Sequence, residues 1–190
     1  YKLKKDYTTA IQYFESSLAA SNSLNENYQK ANILNELGNV YTETGDIVKA
    51  LNYAEQSRRI CEEKKNKEQL PRTYTTLGII FTKKKNYNKA LPYFLNAIDI
   101  CQQTAAIEDE KNAWEAISKT YEYMGQSAKA FDAFRHFITL KDSIYSVDKQ
   151  KEMVRIDLQS GFSKKQLADS LKQDDAKKFF ALSMQRQKAL

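Results

Sequence analysis

The chain has 190 residues, of which 42% are hydrophobic and 28% charged, with only five Gly and two Pro. This composition predicts a mostly helical protein with short connections, and no apolar run approaches the ~20 residues that span a bilayer. The net charge is +6, but the 30 Lys and Arg are interspersed with 24 Asp and Glu, which favours a solvated surface over a nucleic-acid-binding face. Two cysteines are too few for a disulfide framework.

A period of forty residues runs through most of the chain. Four alanines share one column of this period: Ala10, Ala50, Ala90 and Ala130. Aromatic residues share another: Tyr1, Tyr41, Phe81 and Tyr121. Small residues form a third (Gly38, Gly78 and Ser118), and a fourth holds Gly45, Lys85 and Gly125. A fixed period of this length predicts stacked units of supersecondary structure.

Within each unit the apolar spacing is helical. Leu34, Leu37 and Tyr41 lie at i, i+3 and i+7 on one helical face, and a second helix is predicted to begin after Gly45-Asp46. The columns of small residues let two antiparallel helices approach closely. Each unit is therefore predicted to be a helical hairpin that needs a neighbour to cover its second apolar face.

Pro92 falls a few residues into the second helix of the third unit, where proline is costly. We expect that helix to begin near Asn88 or to bend there. Pro71, in contrast, suits an early position in the first helix of the same unit.

These columns resemble the tetratricopeptide repeat. The second unit supplies Leu34, Leu37-Gly38, Tyr41, Gly45-Asp46, Ala50 and Tyr53; the third supplies Tyr74, Leu77-Gly78, Phe81, Asn86-Tyr87, Ala90, Phe94 and Ala97; the fourth supplies Trp114, Ile117, Tyr121, Gly125, Ala130 and Phe134. The first unit retains only its second helix, with Tyr7, Ala10, Phe14 and Leu18. The period is longer than the ~34 residues usual for this repeat, which implies helices longer by about a turn.

The resemblance implies an all-α, right-handed α-solenoid of helical hairpins, followed by a C-terminal helical extension. The predicted boundaries are a half repeat over 1–27, repeats over 28–67, 68–107 and 108–145, and the extension over 146–190. The chain opens inside the pattern without a Met, and we expect it to be a segment of a longer protein.

The forty-residue columns stop after Leu140. Ser146 or Asp148 is predicted to cap a new helix, and Gln159-Ser160-Gly161 to interrupt it. Beyond Phe162 the apolar residues are sparse: Leu167, Leu171, Phe179, Leu182 and Met184. They predict a long polar helix with a narrow apolar stripe, which either pairs in a two-stranded coil or lies on the last repeat.

The tail is also similar to a segment of membrane-bound sensors of Gram-negative bacteria, in its KDSIY (141–145), FSKKQ (162–166) and RQK (186–188) motifs. In those proteins the repeats lie outside the inner membrane, and the next segment crosses it. A histidine-kinase, adenylate-cyclase or transcription-regulator output module follows. The resemblance implies a periplasmic location for this chain.

Candidate catalytic and metal-binding groups are few. His136 is the only histidine and has no partner at ligand spacing, so we expect an ordinary helix-surface residue. Cys61 and Cys101 share a column on neighbouring helices, roughly 8–10 Å apart, which is too far for a disulfide, and both are predicted to be buried. No nucleophile elbow, phosphate loop or zinc spacing occurs. We expect no catalysis in this chain, and no cofactor or metal.

The resemblance further implies that the first helices line a concave groove. Its candidate ligand-binding residues are Asn32, Asn35, Asn39, Thr42, Arg72, Thr75, Ile79, Asn112, Glu115, Lys119 and Glu122. Asn35 and Asn39 could pair with a peptide backbone, and Arg72 and Lys119 could hold a carboxylate. The paired Lys and Asn clamp of chaperone-type repeats is not reproduced, because Thr75 and Ile79 replace it. A groove that is only hydrated is the alternative.

The leading interpretation is a non-catalytic sensor module. It binds a peptide or protein partner in the groove and transmits through its C-terminal helix to a membrane-anchored signalling output. We expect a homodimer through residues 146–190, no nucleic-acid partner, and membrane contact only through segments outside this chain. The alternative is a soluble cytoplasmic scaffold or peptide-responsive regulator. Another repeat downstream favours that alternative, whereas ~20 apolar residues downstream favour the sensor.

Overall fold

A computed structural model describes residues 6–24 and 27–188. Its helices are α1 (Tyr7–Leu24), α2 (Asn27–Thr44), α3 (Ile47–Glu63), α4 (Leu70–Lys83), α5 (Tyr87–Thr104), α6 (Ile107–Tyr123) and α7 (Ser127–Lys188). All regular secondary structure in the described residues is helical, which confirms the predicted all-α class. The chain divides into two compact units, Tyr1–Ile144 and Tyr145–Leu190.

The turns of the N-terminal unit repeat with the forty-residue period. Gly45 and Gly125 have φ of +87° and +71°, in the left-handed region that glycine adopts without strain. Lys85 occupies the same column with φ of +58°, at a cost of roughly 1–2 kcal/mol. The next residue in two of the turns caps the following helix: Asp46 accepts from the Lys49 backbone N–H at 3.1 Å, and Asn86 from Lys89 at 3.3 Å.

Asp46 and Asn86 belong to a column of the forty-residue period that begins with Asp6 and ends with Gln126. Asp6 accepts a hydrogen bond from the Thr9 backbone N–H at 3.1 Å, which is the same capping geometry. The longer Gln126 side chain does not reproduce it, and its buried Oε1 has no partner in the structure. The sequence period therefore corresponds to a repeated helix start, with its weakest copy before α7.

Small residues bring the two helices of each hairpin together, as predicted. A Cβ on Gly38 would lie 3.3 Å from the Ala54 Cβ, and a Cβ on Gly78 would collide with the Phe94 ring. Ser118 donates a hydrogen bond to the Ala130 carbonyl at 3.0 Å, which joins α6 to α7. Backbone approach this close is available only where one partner has little or no side chain.

Apolar and hydroxyl side chains share the interior between successive hairpins. The largest core cluster spans α4 to α7 and includes Phe81, Phe94 and Ile117. Pairs of threonine and serine hydroxyls lie at the interfaces between hairpins: Thr82 Oγ1 is 2.9 Å from Thr120 Oγ1, and Ser57 Oγ is 3.0 Å from Thr73 Oγ1. Each of these four hydroxyls therefore has a partner across a helix interface, as buried polar groups require.

The second helix of the third unit begins at Tyr87, one residue before the predicted Asn88. Pro92 is its sixth residue and leaves the Asn88 carbonyl without an i→i+4 donor. Asn88 is exposed, so water can satisfy that carbonyl. Pro71 lies in the first turn of α4, as expected.

The predicted break in the tail is wrong. α7 continues from Ser127 to Lys188, so neither Ser146 nor Asp148 caps a new helix, and Gly161 does not end one. Ser and Asp cap a helix only where the preceding residues leave the helical ladder, and here those residues continue it. One Gly inside a helix costs about 1 kcal/mol, which the surrounding helix-forming residues outweigh.

Some of the predicted positions lie outside the described residues. They are Tyr1 of the aromatic column and the side chains of the tail stripe: Leu167, Leu171, Phe179, Leu182 and Met184. Within the residues described, none of the helices has both the length and the apolar character needed to cross a bilayer.

Candidate functional site

Three adjoining cavities follow α2, α4 and α6, the first helices of the hairpins. Their volumes are about 470, 350 and 480 Å³ in order, and we call the surface that they form the groove. The first and second cavities share Arg72 and Asp109, and the second and third share Thr75, Ile79 and Asn112. A single extended ligand can therefore contact all three.

Nine of the eleven predicted binding residues line the groove. Asn32 and Arg72 line the first cavity; Asn35, Asn39, Arg72, Thr75, Ile79 and Asn112 line the second; Thr75, Ile79, Asn112, Glu115 and Lys119 line the third. Thr42 does not line any of these three cavities, and its buried hydroxyl donates to the Gly38 carbonyl at 2.6 Å. Glu122 is exposed outside the three cavities.

The cations of the groove already have carboxylate partners. Arg72 Nε donates to Asp109 Oδ1 at 2.9 Å and thereby joins α4 to α6, and Lys119 pairs with Glu115 one turn away on α6. Lys83 donates to the Thr42 carbonyl at 2.8 Å and lies 3.3 Å from Glu43 Oε1. The prediction that Arg72 and Lys119 hold a ligand carboxylate stays a prediction, and a ligand would have to compete with these pairs.

Three residues that line the first and second cavities carry buried polar atoms without hydrogen-bond partners. Asn35 is 1% exposed, and neither its Oδ1 nor the Thr75 Oγ1 has a hydrogen-bond partner in the structure. Both residues line the second cavity. In the first cavity the Nε2 of buried Gln69 is likewise unpartnered. An unmade hydrogen bond at a buried group costs about 1–3 kcal/mol, so these atoms mark the places where a ligand gains most.

The prediction missed several groove residues. Glu36, Gln69, Lys83, Glu108 and Asp109 all line a cavity. Gln69 precedes the first turn of α4 and Asp109 lies in the first turn of α6, outside the spacing used to choose groove faces. An acidic first turn in α6 was visible in the sequence and is the one signal that could have found Glu108 and Asp109.

A separate polar cluster joins α3, α4 and α5. Arg58 is held between Glu55 and Glu62, at 2.7 and 2.6 Å, and its pKa is raised chiefly by the hydrogen bond to Glu62. Tyr74 donates to Glu62 at 3.0 Å, and burial together with this bond raises the pKa of Tyr74 to about 12. Burial also raises the pKa of Tyr93. Arg58, Tyr74 and Tyr93 therefore keep their protons near neutral pH, which suits a link between hairpins.

The other candidate reactive groups have structural surroundings. His136 is exposed and stacks on Trp114, with ring centroids 4.2 Å apart. Cys61 and Cys101 are free and buried, and burial raises the pKa of Cys101 to about 12, so this thiol is not a ready nucleophile. In the described part of the chain, no group of His, Cys, Asp or Glu could hold a metal ion.

Comparison with known proteins gives one matching family and several solved structures with a similar fold. The tetratricopeptide repeat family profile matches residues 1–63 and 69–143. The crystal structure of BtubC (BKLC) from P. vanneervenii superposes with a TM-score of 0.64 at 15% sequence identity, covering 74% of this chain and 57% of that one. The similarity at this identity concerns the fold, and this chain spans just over half of that protein's length. A search of curated proteins finds no match.

Proposed function

We propose that this chain, which belongs to the tetratricopeptide repeat family, binds an extended peptide segment of a partner protein in the groove over α2, α4 and α6. Members of the family generally bind peptide or protein partners and are generally non-catalytic. This chain therefore acts by recognition.

The observation that carries the proposal is the set of unpartnered buried atoms. Gln69 Nε2 is a donor that lacks an acceptor, and Asn35 Oδ1 is an acceptor that lacks a donor. The two residues line neighbouring cavities that share Arg72 and Asp109. An extended polypeptide presents carbonyl and N–H groups in alternation, so one segment can satisfy both atoms.

The test replaces Asn35 by leucine. We expect Asn35→Leu to keep or slightly raise the thermal stability of the free chain, because a buried unsatisfied polar group is removed. Binding of octapeptides selected on the wild-type chain should weaken about tenfold, measured by isothermal titration calorimetry. Asn96→Leu, at an exposed position on α5, is the matched control and should leave binding unchanged. Selected peptides that bind Asn35→Leu as tightly as wild type would contradict the proposal.

We further propose that this module is the periplasmic sensor portion of a membrane-anchored signalling protein. The order of its parts supports this role, because α7 begins as the second helix of the fourth unit and continues beyond the repeats to Lys188. Binding in the groove that favours one arrangement of the last helices would bias an output module downstream. A span of ~20 apolar residues downstream of this chain in the parent protein is the feature expected; another repeat there would favour the cytoplasmic scaffold.

The C-terminal unit is proposed to form a homodimer. Val154 and Leu158 are 58% and 70% exposed on one face, and together with Phe162 they line a shallow apolar surface. Val147 lies one heptad before Val154, as in a coiled-coil seam, with Lys151 between them. An exposed apolar stripe of this kind is stabilised by a second helix.

Leu158→Asp should therefore weaken dimerisation at least tenfold in sedimentation equilibrium. Ser160→Asp places the same charge on the opposite face of α7, and this control should dimerise like the wild type. A wild-type chain that stays monomeric up to millimolar concentration would rule the dimer out.

A further inference from the structure

We infer that the second cavity of the groove takes a cationic side chain, lysine or arginine, from the bound polypeptide. The inference rests on the proposed function and names the chemistry of its ligand. It reverses the prediction that Arg72 and Lys119 capture a carboxylate, which the pairing of both cations makes unfavourable.

The charge of the groove opposes the charge of the chain. The whole chain carries +6, yet six carboxylate side chains line the three cavities against three cations. The carboxylates are Glu36, Glu43, Glu68, Glu108, Asp109 and Glu115, and the cations are Arg72, Lys83 and Lys119. Each cation is already paired, so the groove presents excess negative charge to a ligand. Clustered charge of one sign selects ligands of the other sign.

The excess is concentrated in the second cavity. Glu36 enters from α2, and Glu108 and Asp109 enter from α6, with Arg72 as the one cation among its lining residues. Arg72 is committed to Asp109 and Glu108 pairs with Lys111, whereas Glu36 has no hydrogen bond or ion pair within the described residues. A bound carboxylate would be repelled here, and a bound cation would meet a free carboxylate.

Asn35 gives a second, independent indication that the ligand carries hydrogen-bond donors. Asn35 lines the same cavity as Glu36, and its buried Oδ1 lacks a hydrogen-bond donor. An ammonium or guanidinium group carries several donors and no acceptor, so it can serve both oxygens at once. Ile79 lines the same cavity and offers an apolar surface to the methylene stem of such a side chain. A bare metal ion is a poorer occupant, since the described carboxylates include no set that could hold one.

The experiment is selection of a random octapeptide library, acetylated at the N-terminus and amidated at the C-terminus, on the immobilised chain. We expect Lys or Arg to be enriched at least tenfold over Asp and Glu at one position. In Glu36→Gln that enrichment should fall severalfold, and the selected peptides should bind at least fivefold more weakly in fluorescence anisotropy. Glu63→Gln, at an exposed position at the end of α3, is the matched control and should behave like the wild type.

Each outcome separates the inference from the proposed function. If the selected peptides depend on Asn35 but show no cation, or prefer Asp or Glu, the cationic ligand is wrong and the peptide groove stands. If no peptide depends on Asn35, both fall. A parallel library with free N-termini distinguishes a lysine or arginine side chain from a terminal ammonium. Enrichment only in that library would assign the cavity to the chain terminus and overturn the side-chain inference.

Discussion

Phe94→Ala is expected to lower the free energy of unfolding by about 3–5 kcal/mol, measured by urea denaturation followed by circular dichroism. The Phe94 side chain is fully buried within the core cluster that joins α4, α5, α6 and α7. Its removal leaves a cavity where the third and fourth units meet. Truncation of Leu95, which is 56% exposed one residue away, is the control and should cost less than about 1 kcal/mol.

The glycine opposite Phe94 makes the same contact testable from the other side. A Cβ at position 78 would lie 2.6 Å from Phe94 Cδ1, so Gly78→Ala should cost about 1–3 kcal/mol despite the better helix propensity of alanine. Gly38→Ala, in the same column, should stay within about 1 kcal/mol of wild type, because its Cβ would meet the Ala54 Cβ at 3.3 Å.

A double-mutant cycle of Gly78 and Phe94 tests whether the two residues are in contact. In the double variant Gly78→Ala/Phe94→Ala the new methyl group occupies space that the ring has left, so the combined loss should be smaller than the sum of the single losses. Strict additivity would mean that Gly78 and Phe94 do not constrain each other.

The sequence predicted the repeated helical hairpins because a forty-residue period and helical apolar spacing are properties of the chain alone. The same columns predicted close approach at Gly38 and Gly78. They did not reveal that Gly38 faces Ala54 while Gly78 faces Phe94, although both glycines share a column. Which side chain meets each glycine depends on how the neighbouring helices pack, and the column of glycines alone does not contain that information.

The groove was predictable in position but not in charge. The resemblance to the tetratricopeptide repeat indicated which face of each first helix lines the groove, and Asn35 and Thr75 belong to that face. Ion pairs such as Arg72–Asp109 join residues 37 positions apart and depend on side-chain direction, so residue spacing did not reveal them. In the tail, the local signals at Ser146 and Gly161 misled because the continuing helical ladder outweighs them.

Ser57→Ala is expected to lower the free energy of unfolding by about 1–3 kcal/mol, although it removes a single oxygen. Ser57 is fully buried, donates to the Ala31 carbonyl of α2 at 2.7 Å, and lies 3.0 Å from the Thr73 hydroxyl of α4. Its hydroxyl therefore ties three helices of two successive hairpins. Ser16→Ala, at an exposed position on α1, is the control and should change stability by less than about 0.5 kcal/mol.

The chain itself shows how this loss can be offset. Forty residues further on, the equivalents of Ser57 and Thr73 are Ala97 and Ala113, and both alanines are fully buried in the next interface. Two apolar side chains therefore occupy the positions in that interface that two hydroxyl side chains, Ser57 and Thr73, occupy in the preceding one. Either single substitution already removes the hydrogen bond between the two hydroxyls, so the second substitution has less to lose. Ser57→Ala/Thr73→Val should therefore be destabilised by less than the sum of its single substitutions in urea denaturation. A double variant that loses the full sum would show that the two hydroxyls act independently.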